Sequence, residues 1–597
     1  MRILALRVRV AKLILSITVV GLILLLILND SYINVVENYQ NVILFKDKNT
    51  VATFDNNISK RSIDEKPLLF EHCKLADLDP WDPTIKKYLD PFRDPLKNCK
   101  PNITQISKVE NGILFIFPPP KVTLNCRYMC LFPVSDYRLS FGNWTEVVNG
   151  TEPPCDVFEI ECKDAAKKNE TKEIFYKFLH PKIYRPNPPK ELPSSPSTTP
   201  ASNPNKPDVH IIIFDSVSQS QFIRSLPKTR HVLREYYDAI PFRHLNKVGL
   251  NSRPNGYALL FGYGIYPIPK SPMSRGYESD LTYEQYCKEF KDNDQFIGNR
   301  FKDDGYATLM SEDWSMGVFN WPGCAGFEKS PTDHYMRPYQ LRLEGHRRWR
   351  HNGMRHIVQH FSCKESFHYQ TQYLQDFINA YPDKPKFSLT WTSYLAHDDH
   401  NALYHTDDFF YQFFKDNREK FNNSYVLFMG DHGNRFSFMR YTDVGQTEDR
   451  NPFLFLSVPT HLRKNHSFID TIKDNAQQLA THYDIYATLN EIAKPSNPRI
   501  PNPHIKGSSF FHPLPQPRTC NKLRIPFEYC QCQLEKTRLP KENEIAIPGA
   551  EIMVERMNEN LRDTNDTADV CAPLTLDYKA GIYVDEFVEK GNVKVYE

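Results

Sequence analysis

Five short apolar runs constrain the fold of this chain more than any other feature: VHIIIF (209–214), YATLM (306–310), FSLTWTSYL (387–395), YVLFM (425–429) and FLFLSV (453–458). They are rich in β-branched and aromatic residues and too short for buried helices, so they read as buried strands. Segments between and after them, such as DFFYQFFKDNREKF (408–421) and HYDIYATLNEIA (482–493), carry apolar residues at roughly helical spacing. Strand and helix therefore alternate as in a parallel α/β sheet. No fixed-period repeat runs through the chain. Hydrophobic residues at 40% and aromatics at 13% supply a large core and exclude a mostly disordered polymer. Lys+Arg exceed Asp+Glu by only 74 to 72, so no overall field points to nucleic acid.

The start of the chain directs it out of the cytosol. Arg2, Arg7, Arg9 and Lys12 precede 16 residues without a charge, 13–28. At 1.5 Å per residue that run spans roughly 24 Å, slightly short of a thin bilayer core, and Lys12 can snorkel to cover the difference. An uncleaved signal anchor over 13–29 is favoured over a cleaved signal peptide, because no small-x-small cleavage site follows Leu28. The basic flank leaves 1–12 in the cytosol and everything after residue 30 outside it, a type II membrane protein; cleavage would instead secrete it. Eight N-x-S/T acceptors agree with export: Asn57, Asn102, Asn143, Asn149, Asn169, Asn422, Asn465 and Asn565. So do thirteen cysteines, which read as disulfides in an oxidising compartment, with one left over. Zinc at Cys126/Cys130 or Cys530/Cys532 is disfavoured, since no second spaced pair with histidines accompanies them. Eight prolines in 23 residues make 185–207 an extended linker. It separates a disulfide-rich, glycosylated N-terminal region (30–184) from the α/β domain (208–514), and a Cys-containing tail follows (515–597).

Acids and imidazoles recur directly after the strands. Asp215 follows the first run, Glu312 and Asp313 the second, His397 to His400 the third, Asp431 and His432 the fourth. In an open parallel sheet the carboxyl ends of strands share one edge and ligands bind in the crevice outside it. Any one such residue suits a helix cap or a solvated turn; several after successive strands suit a metal site. No HExxH, GxSxG, Walker A or dinucleotide fingerprint competes.

These residues resemble a family. FDSVS (214–218), NKVGLNSRPNGYALLFG (246–262), SEDW, FNWPGC, PTDHY (331–335), LAHDDHN (395–401), GDHGNR (430–435) and the RTC and CQC segments are together similar to an animal domain-of-unknown-function family, number 229, of the alkaline phosphatase and sulfatase superfamily. The resemblance implies an alkaline-phosphatase-like three-layer sandwich with a central, mostly parallel sheet, here with a disulfide-rich N-terminal module. It implies a metal-assisted nucleophile working on phosphate or sulfate esters. Asp215 then matches a metal-binding aspartate, Asp431 and His432 the metal pair of the DHG motif, and Ser252 the nucleophile, which also touches metal. His397 is the candidate for a second metal or for a phosphate-facing acid, with Asp399, His400 and His482 behind it. Arg435 and Arg440 are candidate anion clamps. Zinc, one ion or two, suits these donors, with manganese or calcium where oxygens dominate. Sulfatases of the superfamily resemble C-x-P-x-R, whereas Ser252, Arg253, Pro254, Asn255 and Gly256 lack both the cysteine and the final arginine. Phosphoryl transfer through serine is therefore preferred.

Three functional readings stand. The first is a metal-dependent phosphoesterase or phosphotransferase outside the cytosol, acting on a small-molecule, glycan or lipid phosphoester; a sulfatase-like hydrolase is its variant. The second is a catalytically inactive, membrane-anchored or secreted glycoprotein that keeps the fold as a binding module. The third is a serine hydrolase pairing Ser252 with a histidine.

Overall fold

The computed structural model describes residues 73–75, 77–166, 174–186, 206–271, 274–345, 353–532, 536–540, 543–563, 570–579, 581–588 and 594–596. The expected anchor, most of the Pro-rich linker, and Asn57, Asn169 and Asn565 lie outside the described residues. Among those described, no helix is long and apolar enough to cross a membrane. Two compact units form, one spanning 71–532 and the other containing the chain from 533 onward.

The larger unit is built on a seven-stranded sheet with the order His334–Tyr335, Ala307–Glu312, Lys386–Thr392, Asp208–Phe214, Ser424–Gly430, Leu454–Ser457, Ile240–Pro241. The first five run parallel and the last two pairings are antiparallel. Each expected apolar run supplies one of these strands. Because both faces are covered, the strands are buried throughout rather than alternating with polar residues. Alternate side chains still divide between two cores. Val209, Ile211 and Ile213 pack with Tyr257, Leu260, Ile485 and Leu489 from the helices Ser252–Leu260 and His482–Ile492. Ile212 and Phe214 face the other way, toward Phe222, Leu233, Phe410 and Phe414. Helix, sheet and helix make the expected three layers.

The N-terminal module is a five-stranded antiparallel sheet in which Leu124–Ser135 pairs with Val157–Asp164, and that strand with Tyr176–Pro181. Cys126–Cys162 and Cys130–Cys155 staple it. Its core is continuous with Met336, Tyr339, Tyr373 and Phe377 of the α/β layer. Ahead of it, residues 73–99 form a strap tied covalently at both ends, Cys73 to Cys532 and Cys99 to Cys363. The strap runs past the LAHDDHN loop: Arg93 Nε donates to Asp399 at 2.8 Å, Asn401 accepts from the Asp90 amide at 2.9 Å, and His400 Nε2 lies 3.1 Å from the Tyr88 carbonyl.

Twelve cysteines form six disulfides, including Cys287–Cys324 and Cys520–Cys530, and Cys571 is the free one. The segment 515–532 belongs to the larger unit, with Cys520, Ile525, Tyr529 and Cys530 packed among Val248, Ala258 and Tyr483. One boundary between the units falls at 532/533, after the last disulfide. Beyond it are the helix Ala546–Asp563 and a three-stranded antiparallel sheet. Asn102, Asn143, Asn149, Asn422 and Asn465 are all exposed.

Candidate metal centre

Strand register brings the site together. Phe214 lies level with Thr392 on one side and Gly430 on the other, so Asp215 and Asp431 leave the sheet side by side at its carboxyl edge. Ser252 arrives from a third direction, as the first residue of the helix Ser252–Leu260. The loop ahead of it is folded by Asn255, fully buried, whose side chain accepts from the Val248 amide at 2.8 Å and donates to the carbonyls of Gly249 at 3.0 Å and Asn251 at 2.8 Å. Gly249 is required there, because a Cβ would collide with the Pro254 ring.

Ser252 Oγ lies 3.2 Å from Asp215 Oδ2 and 3.4 Å from His432 Nε2. His432 Nε2 is 3.7 Å from Asp215 Oδ1 and 3.5 Å from Asp431 Oδ2. One donor atom from each of Asp215, Asp431 and His432 falls within 4.8 Å of the others. The other ring nitrogen, His432 Nδ1, sits 2.7 Å from the Gly433 carbonyl, which obliges it to carry the proton and leaves the Nε2 lone pair facing the acids. Ser216 organises both carboxylates: its hydroxyl donates to Asp215 at 2.8 Å and its amide to Asp431 Oδ1 at 3.0 Å. To do so it adopts φ +64°, a left-handed conformation that costs a serine of the order of 1 kcal/mol.

The donor set fits a divalent cation. Asp431 is fully buried, and its Oδ2 has no hydrogen-bond partner. Burial, and then the nearby charge of Asp215, push its carboxyl up. Burial holds His432 well below the usual imidazole range, with Arg435 and Lys247 adding to the effect, so the ring is neutral and able to ligate. Two buried carboxylates facing an imidazole lone pair without a cation would be mutually repulsive; one imidazole and two carboxylates are a donor set that zinc accepts. Cys520, Cys530 and Cys532 also cluster, but all three are oxidised and offer no thiolate.

The remaining sequence candidates divide by their neighbours. His397 stands at the rim: its Nδ1 pairs with Asp398 at 2.7 Å, its ring packs on Phe436, and Asp215 acts on its charge. Asp399 and His400 are taken up by the strap. His482 is fully buried near the backbone of Asp431 and Asn246. Glu312 accepts from the Val318 amide at 2.7 Å and Asp313 from that of Ser393 at 2.5 Å, so both hold loops. The charge of Arg435 acts on His397 and His432, its guanidinium lies over the Phe436 ring at 4.8 Å, and its Nε is buried without a hydrogen bond. Arg440 pairs with Asp449 at 3.3 Å. Sequence reasoning did not single out Ser216, Asn255 or Lys247. Lys247 is fully buried, 2.7 Å from Asp449 Oδ1, and the sequence signal that could have found it is a lysine inside an otherwise apolar motif leading to Ser252.

No curated protein matches the chain significantly. Solved structures similar to it include the lipoteichoic acid synthase LtaP from Listeria monocytogenes, with 12% identity and a TM-score of 0.35 over 52% of this chain and 76% of that one. The C-terminal periplasmic domain of EptC from Escherichia coli, in complex with Zn, has 12% identity and a TM-score of 0.34 over 55% of this chain and 96% of that one. A protein in the alkaline phosphatase superfamily from Vibrio parahaemolyticus has 15% identity and a TM-score of 0.33 over 52% and 71%. A sequence family described as "Protein of unknown function (DUF229)" matches residues 93–580, most of the chain, and the chain belongs to that family.

Proposed function

We propose that this chain is a metal-dependent phosphoesterase or phosphotransferase that works outside the cytosol through Ser252. The observation that carries the reading is the convergence of the Ser252 hydroxyl with Asp215, Asp431 and His432, four residues from three separate parts of the chain. A divalent cation held by Asp215, Asp431 and His432, zinc being the first choice for that donor set, supplies positive charge that lowers the pKa of a hydroxyl and offsets charge on substrate oxygens.

Ser252 Oγ attacks phosphorus, its proton passes to Asp215, which it already faces at 3.2 Å, and the bond from phosphorus to the leaving oxygen breaks. His397 supplies the proton that the leaving alcohol needs. Burial pushes its pKa down, but Asp215 and the Asp398 hydrogen bond outweigh this and hold it above the usual imidazole value, which favours the protonated ring that can donate. Arg435, with its unpartnered Nε, clamps an anionic oxygen. The phosphoserine then passes its phosphoryl group to water or to an acceptor alcohol. A serine at 252, with no arginine at 256, favours phosphate over sulfate esters. The exposed sequons, the six disulfides and the apolar segment 13–29 support an anchored type II protein facing the lumen or the cell exterior, with a small-molecule, glycan or lipid phosphoester as substrate.

The purified full chain is expected to contain zinc and to release nitrophenol from phosphate mono- or diesters in a chelator-sensitive reaction. Ser252→Ala is expected to lower kcat on the order of 10³-fold or more and to remove any phosphoserine detected by mass spectrometry after rapid quenching. Turnover that persists in Ser252→Ala, or that is indifferent to chelation, would sink the reading.

A further inference from the structure

A cavity of about 240 Å³ opens beside the candidate centre, walled by the strap at Pro95 and Leu96, by Tyr394, and by the stretch from Arg355 to Phe367. Asp313 forms its floor. Two backbone contacts place that floor next to Ser252's site: the Asp313 amide bonds the carbonyl of Trp391 at 3.3 Å, and the Asp215 amide bonds that of the next residue, Thr392, at 3.0 Å. Asp313 therefore lies along the same sheet edge as Asp215, two strands away and within reach of its charge.

The cavity's carboxylates are occupied: Asp313 accepts from the amides of Ser393 and Tyr394, and Glu365 pairs with His405 Nε2 at 2.6 Å. Its arginine is only partly satisfied. The Arg355 guanidinium lies over the Tyr394 ring, 4.3 Å from its centroid, and its Nε and Nη2 are buried without hydrogen bonds. Nη2 forms an ion pair with Glu344 at 3.3 Å, a carboxylate that also accepts from the amide and hydroxyl of Ser315, so the Nε–H remains buried with no acceptor. Lys364 is exposed at the mouth and makes no ion pair among the described residues. Buried donors without acceptors are costly, and a planar guanidinium held flat on an aromatic ring presents its remaining N–H groups in a fixed fork suited to oxyanions. None of these residues was used above for the reaction.

We propose that this cavity is a second anion-binding subsite, taking a carboxylate, sulfate or phosphate group of the substrate other than the ester that reacts at Ser252. The assignment rests on the function proposed above only in treating the bound group as part of the substrate; the anion site itself does not depend on turnover. It narrows the substrate to a phosphoester bearing another negative charge, carried on a sugar or on a lipid headgroup.

Binding is tested first, with inorganic sulfate titrated calorimetrically into chelator-treated full chain carrying Ser252→Ala. One saturable site should weaken at least tenfold on adding Arg355→Gln or the exposed Lys364→Gln, and should remain on adding Arg435→Ala. Absence of a site in the parent, or equal affinity with both the 355 and the 364 changes, overturns the proposal whether or not the chain is an enzyme. Turnover then identifies the carrier, using pairs that differ by one carboxylate: glucuronic acid 1-phosphate against glucose 1-phosphate, and dihexanoyl-phosphatidylserine against dihexanoyl-phosphatidylethanolamine. In one pair kcat/KM should favour the anionic member by tenfold or more, and the ratio should fall toward one in Arg355→Gln and Lys364→Gln. A chain that turns over all four without such a preference overturns the link to substrate.

Discussion

Asp431→Asn is expected to raise the thermal midpoint of the metal-free chain and to abolish the stabilisation that zinc gives the unsubstituted one. Asp431 Oδ1 accepts from the amides of Ser216 at 3.0 Å and His432 at 2.8 Å, and an asparagine oxygen can do the same. Its Oδ2 has no donor and lies 3.5 Å from His432 Nε2. An amide nitrogen placed there would face that lone pair and the Asp215 carboxylate, replacing repulsion with attraction. Burial and Asp215 raise the Asp431 carboxyl to about 8, so on folding this group takes up a proton that the unfolded chain, with a carboxyl near 4, does not hold. Stability of the metal-free chain must then fall as pH rises from about 4 toward 8, and it is fully lost to this group above that range. The gain from the asparagine should therefore be small at pH 5 and of the order of a few kcal/mol at pH 9. Zinc reverses the order. At a thousandfold excess over Kd it would stabilise the unsubstituted fold by about 4 kcal/mol, and the neutral amide should forfeit most of that. Thermal unfolding of both proteins at pH 5 and pH 9, with chelator and with zinc, reads all four terms. Equal zinc-induced shifts in the two proteins would show that Asp431 is not a ligand.

Much of this site is legible in the sequence because it depends on strand ends. An apolar run of strand length followed by Asp215, Asp313, His397 or Asp431 gives both the element and the edge it points to, and the register of the parallel sheet does the rest. The sequence is less informative about which of these residues meet. Asp399 and His400 carry the same chemistry as Asp215 and His432, yet they are drawn off by Arg93 and the Tyr88 carbonyl of a strap some 300 residues earlier. That strap owes its path to Cys73–Cys532, a pairing across 459 residues that no spacing rule could supply. Ser252 has no local signal of its own and is visible only through the family resemblance. Ser216 was hidden for a different reason: a serine with φ +64° leaves no mark on composition or periodicity, and its role appears only once the carboxylates on either side of it are seen. Lys247 and Asn255 are polar side chains at fully buried positions, and what satisfies them is decided by tertiary packing.

The glycine of the DHG motif should be as sensitive as the ligands it follows. Gly433→Ala is expected to cost roughly 1–3 kcal/mol of stability and to weaken zinc binding by at least tenfold. A Cβ on Gly433 would fall deep inside the van der Waals radius of the Glu448 carbonyl oxygen and also crowd Asp449, both of them backbone of the helix Asp443–Arg450. That helix cannot retreat cheaply. Glu448 is buried in a bidentate pair with Arg224, at 2.6 and 2.8 Å, and also accepts from Ser218 at 2.8 Å, while Asp449 receives the buried Lys247. Moving the helix would strain both ion pairs, and a buried charge parted from its partner costs about 3–5 kcal/mol. The displacement falls instead on the 432–433 backbone, where the Gly433 carbonyl fixes the proton on His432 Nδ1 and its amide bonds Asp449 at 2.9 Å. The imidazole then loses the orientation that aims Nε2 between Asp215 and Asp431. Gly142→Ala is the control, since a Cβ there meets its neighbours at ordinary contact distances of 3.4–3.6 Å. Zinc stoichiometry after dialysis against a weak chelator, together with thermal midpoints, separates the two. Unchanged zinc retention in Gly433→Ala would mean that the close approach of this helix does not position His432.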